Sequence, residues 1–198
     1  MRICIYEDAG ALNLEPIALT RPVFALRCGA QTLVERQRRI LGADEVGFWT
    51  RPHLAELCHL EQPGLPINDA DWARRELTVW LNARWLPTAG ISIESTPHVG
   101  LVRDQIAYAV LPIGETPTAD IDSWLAAWHV RLPARHVVGT LLDYLWDVVD
   151  HNGAALKEDT VWFRALHGTR PTPPHVVVTG RLEDLLIADS ATIEPFVY

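Results

Sequence analysis

The pattern that most limits how this chain can fold lies within its first fifty residues. "RICIYE" at residues 2–7 is short, apolar and β-branched, as a buried strand would be. "TLVERQRRIL" at 32–41 instead brings Leu33, Arg36 or Gln37, and Ile40 together at helical spacing, with Thr32 placed as an N-cap. "EVGFWT" at 45–50 returns to strand character. Strand, helix and strand in so short a run predict a parallel βαβ unit, and with it an α/β domain.

The remainder continues the alternation. A helix is predicted over "HLAELCHL" at 53–60 and a strand over "ELTVWLNARWL" at 76–86, with Leu77, Val79 and Leu81 on one face. "HVGLVRD" and "QIAYAVLP" read as short extended stretches. Helices are predicted for "IDSWLAAWHV" at 121–130 and for "TLLDYLWDVVDHNG", where Leu141, Leu145, Val148 and Val149 share a stripe and Gly153 supplies a stop. Past the proline-rich "RPTPPH", "VVVT" at 176–179 reads as a strand. The domain organisation expected is an α/β domain over 1–170, a linker over 171–175, and something different over 176–198.

Composition narrows the partners. The net charge is −8, and the only basic run, "RQRR" at 36–39, reads as the solvated face of a helix, so nucleic acid is not expected. Nowhere do eighteen apolar residues run together, and the N-terminus does not read as a secretory signal, so neither membrane nor export is expected. Cys4, Cys28 and Cys58 are odd in number and form no C-x-x-C pair, which fits a reducing cytoplasm. Lys157 is the only lysine, leaving arginines as the cations available for phosphate.

Motifs for chemistry are sparse. There is no P-loop, G-x-G-x-x-G, G-x-S-x-G or H-E-x-x-H, and His53, Cys58 and His59 lack metal-ligand spacing. Glu7 and Asp8 lie at the predicted carboxyl end of the first strand, where open α/β sheets bind ligands; an exposed turn is the competing reading. In "LTRPVFALRCGAQTL" at 19–33, Arg21 and Arg27 lie near the helix start, and Gly29 allows close backbone approach there. That combination suits a phosphate or carboxylate seat, or equally a loop clasped to the sheet by arginine–carboxylate pairs. Eight tryptophans occur; Trp80, Trp85, Trp124, Trp128 and Trp146 match core faces, with Trp85 also placed to stack on a base or sugar. Asp143, Asp147 and Asp150 form a solvated carboxylate face on a helix.

The run "YEDAGALNLEPIALTRPVFALRCGAQTLVERQRR", with "LNARWLP", "LLDYLWDVVDHNG" and the terminal hexapeptides "IADSAT" and "IEPFVY", resembles the bacterial GlmU-like sugar nucleotidyltransferases. The most specific piece is T-R-P-x-x-x-L-R-x-G-x-x-T-L at 20–33. The resemblance implies a Rossmann-like mixed, mostly parallel sheet flanked by helices. It also implies, at the C-terminus, the first coil of a left-handed parallel β-helix that a longer protein would continue and trimerise through. The implied reaction joins a nucleoside triphosphate to a sugar 1-phosphate with Mg²⁺ and releases pyrophosphate. The residues implied are Arg21 and Arg27 in catalysis, and Glu7, Asp8, Thr20, Gly29, Asn82 and Arg84 in substrate or nucleotide binding.

The sequence also departs from that family's pattern. In place of L-A-A-G-x-G-T-R-M the first strand runs into "EDAGALNLEP"; no P-K pair occurs; and where a later strand ends in a metal-binding G-D, this chain has Ala83-Arg84. A guanidinium in place of a carboxylate turns attraction for a cation into repulsion. Two expectations follow: a site rebuilt on arginines, or a catalytically degenerate domain that binds sugar nucleotides or acts as a scaffold.

Overall fold

A computed structural model describes residues 1–117, 120–168, 171–182 and 185–194. In chain order its elements are β1 (Arg2–Tyr6), β2 (Arg27–Cys28), β3 (Gln31–Thr32), α1 (Leu33–Leu41), β4 (Glu45–Trp49), α2 (Ala55–Glu61), α3 (Ala70–Arg75), β5 (Val79–Asn82), β6 (Trp85–Leu86), β7 (His98–Val102), β8 (Gln105–Val110), α4 (Ile121–Arg131), β9 (Ala134–His136), β10 (Thr140–Leu141) and α5 (Leu145–His167). The main sheet has the order β4-β1-β5-β8-β7-β9. β1 pairs in parallel with β4 and β5, β7 with β9, and β8 runs antiparallel between β5 and β7, so the sheet is mixed and mostly parallel.

β1 is central because it is apolar on both faces. Ile3 and Ile5 join one core cluster with Phe24, Leu33, Phe48 and Leu81, while Cys4 and Tyr6 join a second with Trp80, Trp124, Leu125 and Trp128. Helices must then cover both sides, which gives three layers. After β4 the chain crosses to the other side of β1 to form β5, so the strand order reverses between β1 and β5. Ligands of such sheets bind beyond the strand ends at that reversal.

Four readings of the sequence are corrected. Arg36 and Gln37 are not solvated: they are 1% and 0% exposed, and Arg36 donates to Glu158 (2.7 Å) and Asp159 (2.5 Å) on α5. Charge pairing across two helices is invisible in a local window. The predicted helix over 140–153 is a strand followed by a longer helix, because Leu141 pairs with Trp85 and α5 runs through Gly153 to His167. A lone helical glycine costs only about 1 kcal/mol, and Ala155 and Asp159 anchor the following turns. Trp146 is 60% exposed and outside the core. Residues 176–179 form no strand, since no strand among the described residues pairs with them, and Val177 is 93% exposed. Of the terminal hexapeptides, residues 195–198 lie outside the described residues. Among the described residues no helix is long and apolar enough to cross a membrane.

Candidate active site

Glu7 and Asp8 follow β1 directly, and each is tied to an arginine. The Glu7 side chain is fully buried. It accepts from the amide of Val23 (2.9 Å), the hydroxyl of Thr50, and the amide and guanidinium of Arg51 (both 3.1 Å). The same guanidinium donates to the carbonyls of Ala18 (2.5 Å) and Arg21 (3.3 Å). Of the two readings of the 19–33 stretch, this is the clasped loop. Its side chains Thr20 and Arg21 point to solvent.

Asp8 is held by a fork. Arg84 Nε and Nη2 donate to its two oxygens at 2.8 and 2.6 Å, and the Asn82 amide donates at 2.7 Å. The guanidinium reaches further, to the Leu142 carbonyl (3.1 Å), Asp143 (2.8 Å) and Gln105 (2.9 Å). Burial opposes its charge, but Asp8 and Asp143 more than offset that and hold its pKa above the ordinary value. Gly10 makes room for this group, since a Cβ there would lie 2.4 Å from Arg84 Cζ. Asp122, at the start of α4, accepts from the Ala9 amide at 3.0 Å. Burial, then repulsion from Asp8, raises its pKa.

Two cavities meet at Asp8 and Asp122. One, of about 500 Å³, lies beyond β1, β5 and β8 and is lined by Tyr6, Asp8, Arg84, Gln105, Asp122, His129, Asp143 and Tyr144. The other, of about 650 Å³, lies beyond β1 and β4 and is lined by Glu7, Thr50, Arg51, His53 and Asn68. Both are the size of small-molecule sites, and the first carries carboxylate and amide groups on several walls.

A divalent metal does not fit the strand ends. Mg²⁺ requires oxygen ligands in near-octahedral geometry, but both oxygens of Glu7 and of Asp8 are already taken by donors, and Arg84 places a fixed positive charge against Asp8. Among the described residues no three His, Cys, Asp or Glu side chains converge.

Of the eight residues singled out in the sequence, the structure gathers Glu7, Asp8, Asn82 and Arg84 at one end of the sheet, with Thr20 and Arg21 on the loop clasped beside them. Arg27 and Gly29 are elsewhere. Arg27 donates to the Ala30 carbonyl within the β2–β3 hairpin, and Gly29 (φ +82°) packs against α5, its amide bonded to Asn152 at 2.8 Å. The predicted anion seat at the α1 N-terminus is filled from within, by a capping box between Thr32 and Glu35. Trp85 is fully buried and cannot stack on a ligand. Asp143 is not on a helix face but precedes α5 and binds Arg84, while Asp147 accepts from the amides of Asp143 and Tyr144 (both 2.8 Å) to cap that helix. Arg51, Gln105, Asp122 and His129 carry no local signal, because each sits in an ordinary turn, strand or helix and gains its position only from the sheet order.

Against known proteins, a family model described as sugar nucleotidyl transferase matches residues 3–166. Among solved structures, a Bacillus anthracis protein assigned as a glucose-1-phosphate thymidylyltransferase, in complex with sucrose, is similar over 79% of this chain and 96% of its own at 13% identity, with a TM-score of 0.43. No curated protein matches. The family model takes in every strand but for Arg2 of β1, and nearly all of α5, and the chain belongs to the sugar nucleotidyl transferase family.

Proposed function

We propose that the protein is a sugar-1-phosphate nucleotidyltransferase. A phosphate oxygen of the sugar 1-phosphate attacks the α-phosphorus of a nucleoside triphosphate, the bond from that phosphorus to the β-bridging oxygen breaks, and pyrophosphate leaves. What carries the reading is the cleft at the strand-order reversal, in a chain of this family. Sugar hydroxyls would donate to Asp122, Asp143 and Gln105, while the solvent-facing guanidinium of Arg21 meets phosphate. Positioning and charge neutralisation account for most of such a transfer. Metal enters with the nucleotide, as the Mg²⁺–nucleotide substrate. Thr20, exposed beside Arg21, makes a second phosphate contact, and Arg84 fixes the cleft wall.

Purified protein given UTP or dTTP with Mg²⁺ and a panel of sugar 1-phosphates is expected to release pyrophosphate, and Arg21→Ala is expected to reduce the rate by orders of magnitude. A second reading is favoured by one observation, the short 3-10 helix at Ala9–Leu14 where the family places its glycine-rich loop. In that reading the domain binds sugar nucleotides without turnover. No pyrophosphate release, with saturable binding of a nucleotide sugar in calorimetry, selects it.

The same proposal extends beyond the cleft. The pattern of residues 176–198 resembles the start of a left-handed hexapeptide β-helix, with 171–175 as linker, a cytoplasmic location and trimerisation through such a helix. Light scattering of a longer chain tests it, and a monomer would rule it out.

A further inference from the structure

α5 buries one side and leaves the other open. Asn152, Ala155 and Asp159 face inward, to Gly29, Ala30 and Arg36. Along the flank that adjoins this side and out to solvent, Trp146 (60% exposed), Val149 (71%) and Leu156 (41%) are uncovered. With Gly153 between them and Thr160 beyond, they follow at intervals of three, four, three and four, the spacing of a helix seam meant for a second helix.

Two further facts say which helix. First, Gly153 has no reason of its own to be glycine. It lies in mid-helix, and a Cβ there would meet nothing within 4 Å. Glycine is among the poorest helix formers, and its use on an open helix face lets another backbone come close. Second, Asp150 and Lys157 flank the seam on the same side, both exposed and without an ion partner among the described residues. Laid antiparallel on a copy of itself about Gly153, the helix sets Gly153 on Gly153, Val149 on Leu156, Trp146 on Thr160, and Asp150 on Lys157. The pattern is self-complementary in shape and charge, as a two-fold interface requires. A parallel pairing would put the flank that carries Asp150 and Lys157 on opposite edges of the two helices, and the two charges would not meet.

The geometry points to a second copy of this chain as the partner of α5, in an antiparallel two-fold dimer centred on Gly153. From Trp146 to Thr160 the seam is about 21 Å long at 1.5 Å per residue, small for a specific interface. The dimer is therefore expected to dissociate in the micromolar range.

Sedimentation velocity over a concentration series tests this. Wild type is expected to pass from monomer to dimer. Gly153→Leu should weaken the dimer at least tenfold without lowering the thermal melt, because the new side chain faces open space within its own chain. Lys157→Glu should weaken it as well, and adding Asp150→Lys should restore it to within about threefold. Since Lys157 is the only lysine, carbodiimide treatment of mixed ¹⁴N and ¹⁵N protein should yield an intermolecular Lys157–Asp150 peptide. A monomer at all concentrations, a dimer indifferent to Gly153→Leu, or a charge exchange that fails to restore association would each overturn the assignment.

Discussion

Replacing Arg84 with methionine asks whether that arginine braces the fold or waits for a ligand. The substitution keeps the side chain's bulk but removes donors to Asp8, Asp143, Gln105 and the Leu142 carbonyl. It leaves two carboxylates, 13% and 22% exposed, without their counter-charge. Removing one partner of a buried ion pair costs about 3–5 kcal/mol, and water reaching both carboxylates favours the lower end. At about 2–4 °C per kcal/mol for chains of this length, the melting temperature should fall by roughly 6–12 °C. Thermal unfolding followed by tryptophan fluorescence reads this directly, since Trp80, Trp85, Trp124 and Trp128 are buried. Asp8→Asn should also destabilise, and the Asp8→Asn/Arg84→Met pair should cost less than the sum of its parts by about 1–3 kcal/mol, as residues in one network do. A fall below about 2 °C with nucleotide-sugar binding abolished would refute the brace and make Arg84 a ligand group.

Three further outcomes follow from the same packing. Gly29→Ala should destabilise by about 2–4 kcal/mol in urea titration, because the residue has φ +82° and its Cβ would lie 2.5 Å from Asp159 and 2.9 Å from Ala155. All three cysteines are buried, and burial pushes the Cys58 thiol up to about 11; a thiol reagent at neutral pH should label none in the folded protein and three after unfolding. The raised pKa of Asp122 means that the folded state holds this proton more tightly than the unfolded chain does, so stability is lost as pH rises through the window above the ordinary value of 3.8. Asp122→Asn should accordingly raise the melting temperature at neutral pH and leave it unchanged near pH 3.

Local pattern made the βαβ start legible, because a strand apolar on both faces and a capped amphipathic helix each declare themselves within ten residues. Glu7, Asp8, Asn82 and Arg84 were also within reach, since strand ends can be found once strands are. Their mutual satisfaction was not. Whether Arg84 meets a ligand or meets Asp8 depends on β1 and β5 being neighbours, and that is set by the order of the sheet. Arg36 shows the same limit: its partners Glu158 and Asp159 lie more than a hundred residues away, so a basic run that reads as surface is interior. Gly153 shows the converse, a local helix breaker overruled by the packing of Ala155 and Asp159 behind it.

The fork between Arg84 and Asp8 has a bearing on regulation by the medium. A cation held by carboxylates can be stripped by a chelator, exchanged for another ion, or lost on acidification. The guanidinium is covalently part of the chain and stays protonated across the whole physiological range. The positive charge at this strand end is thus supplied once per molecule, by translation, and the field it sets up should be the same in metal-starved and metal-replete surroundings.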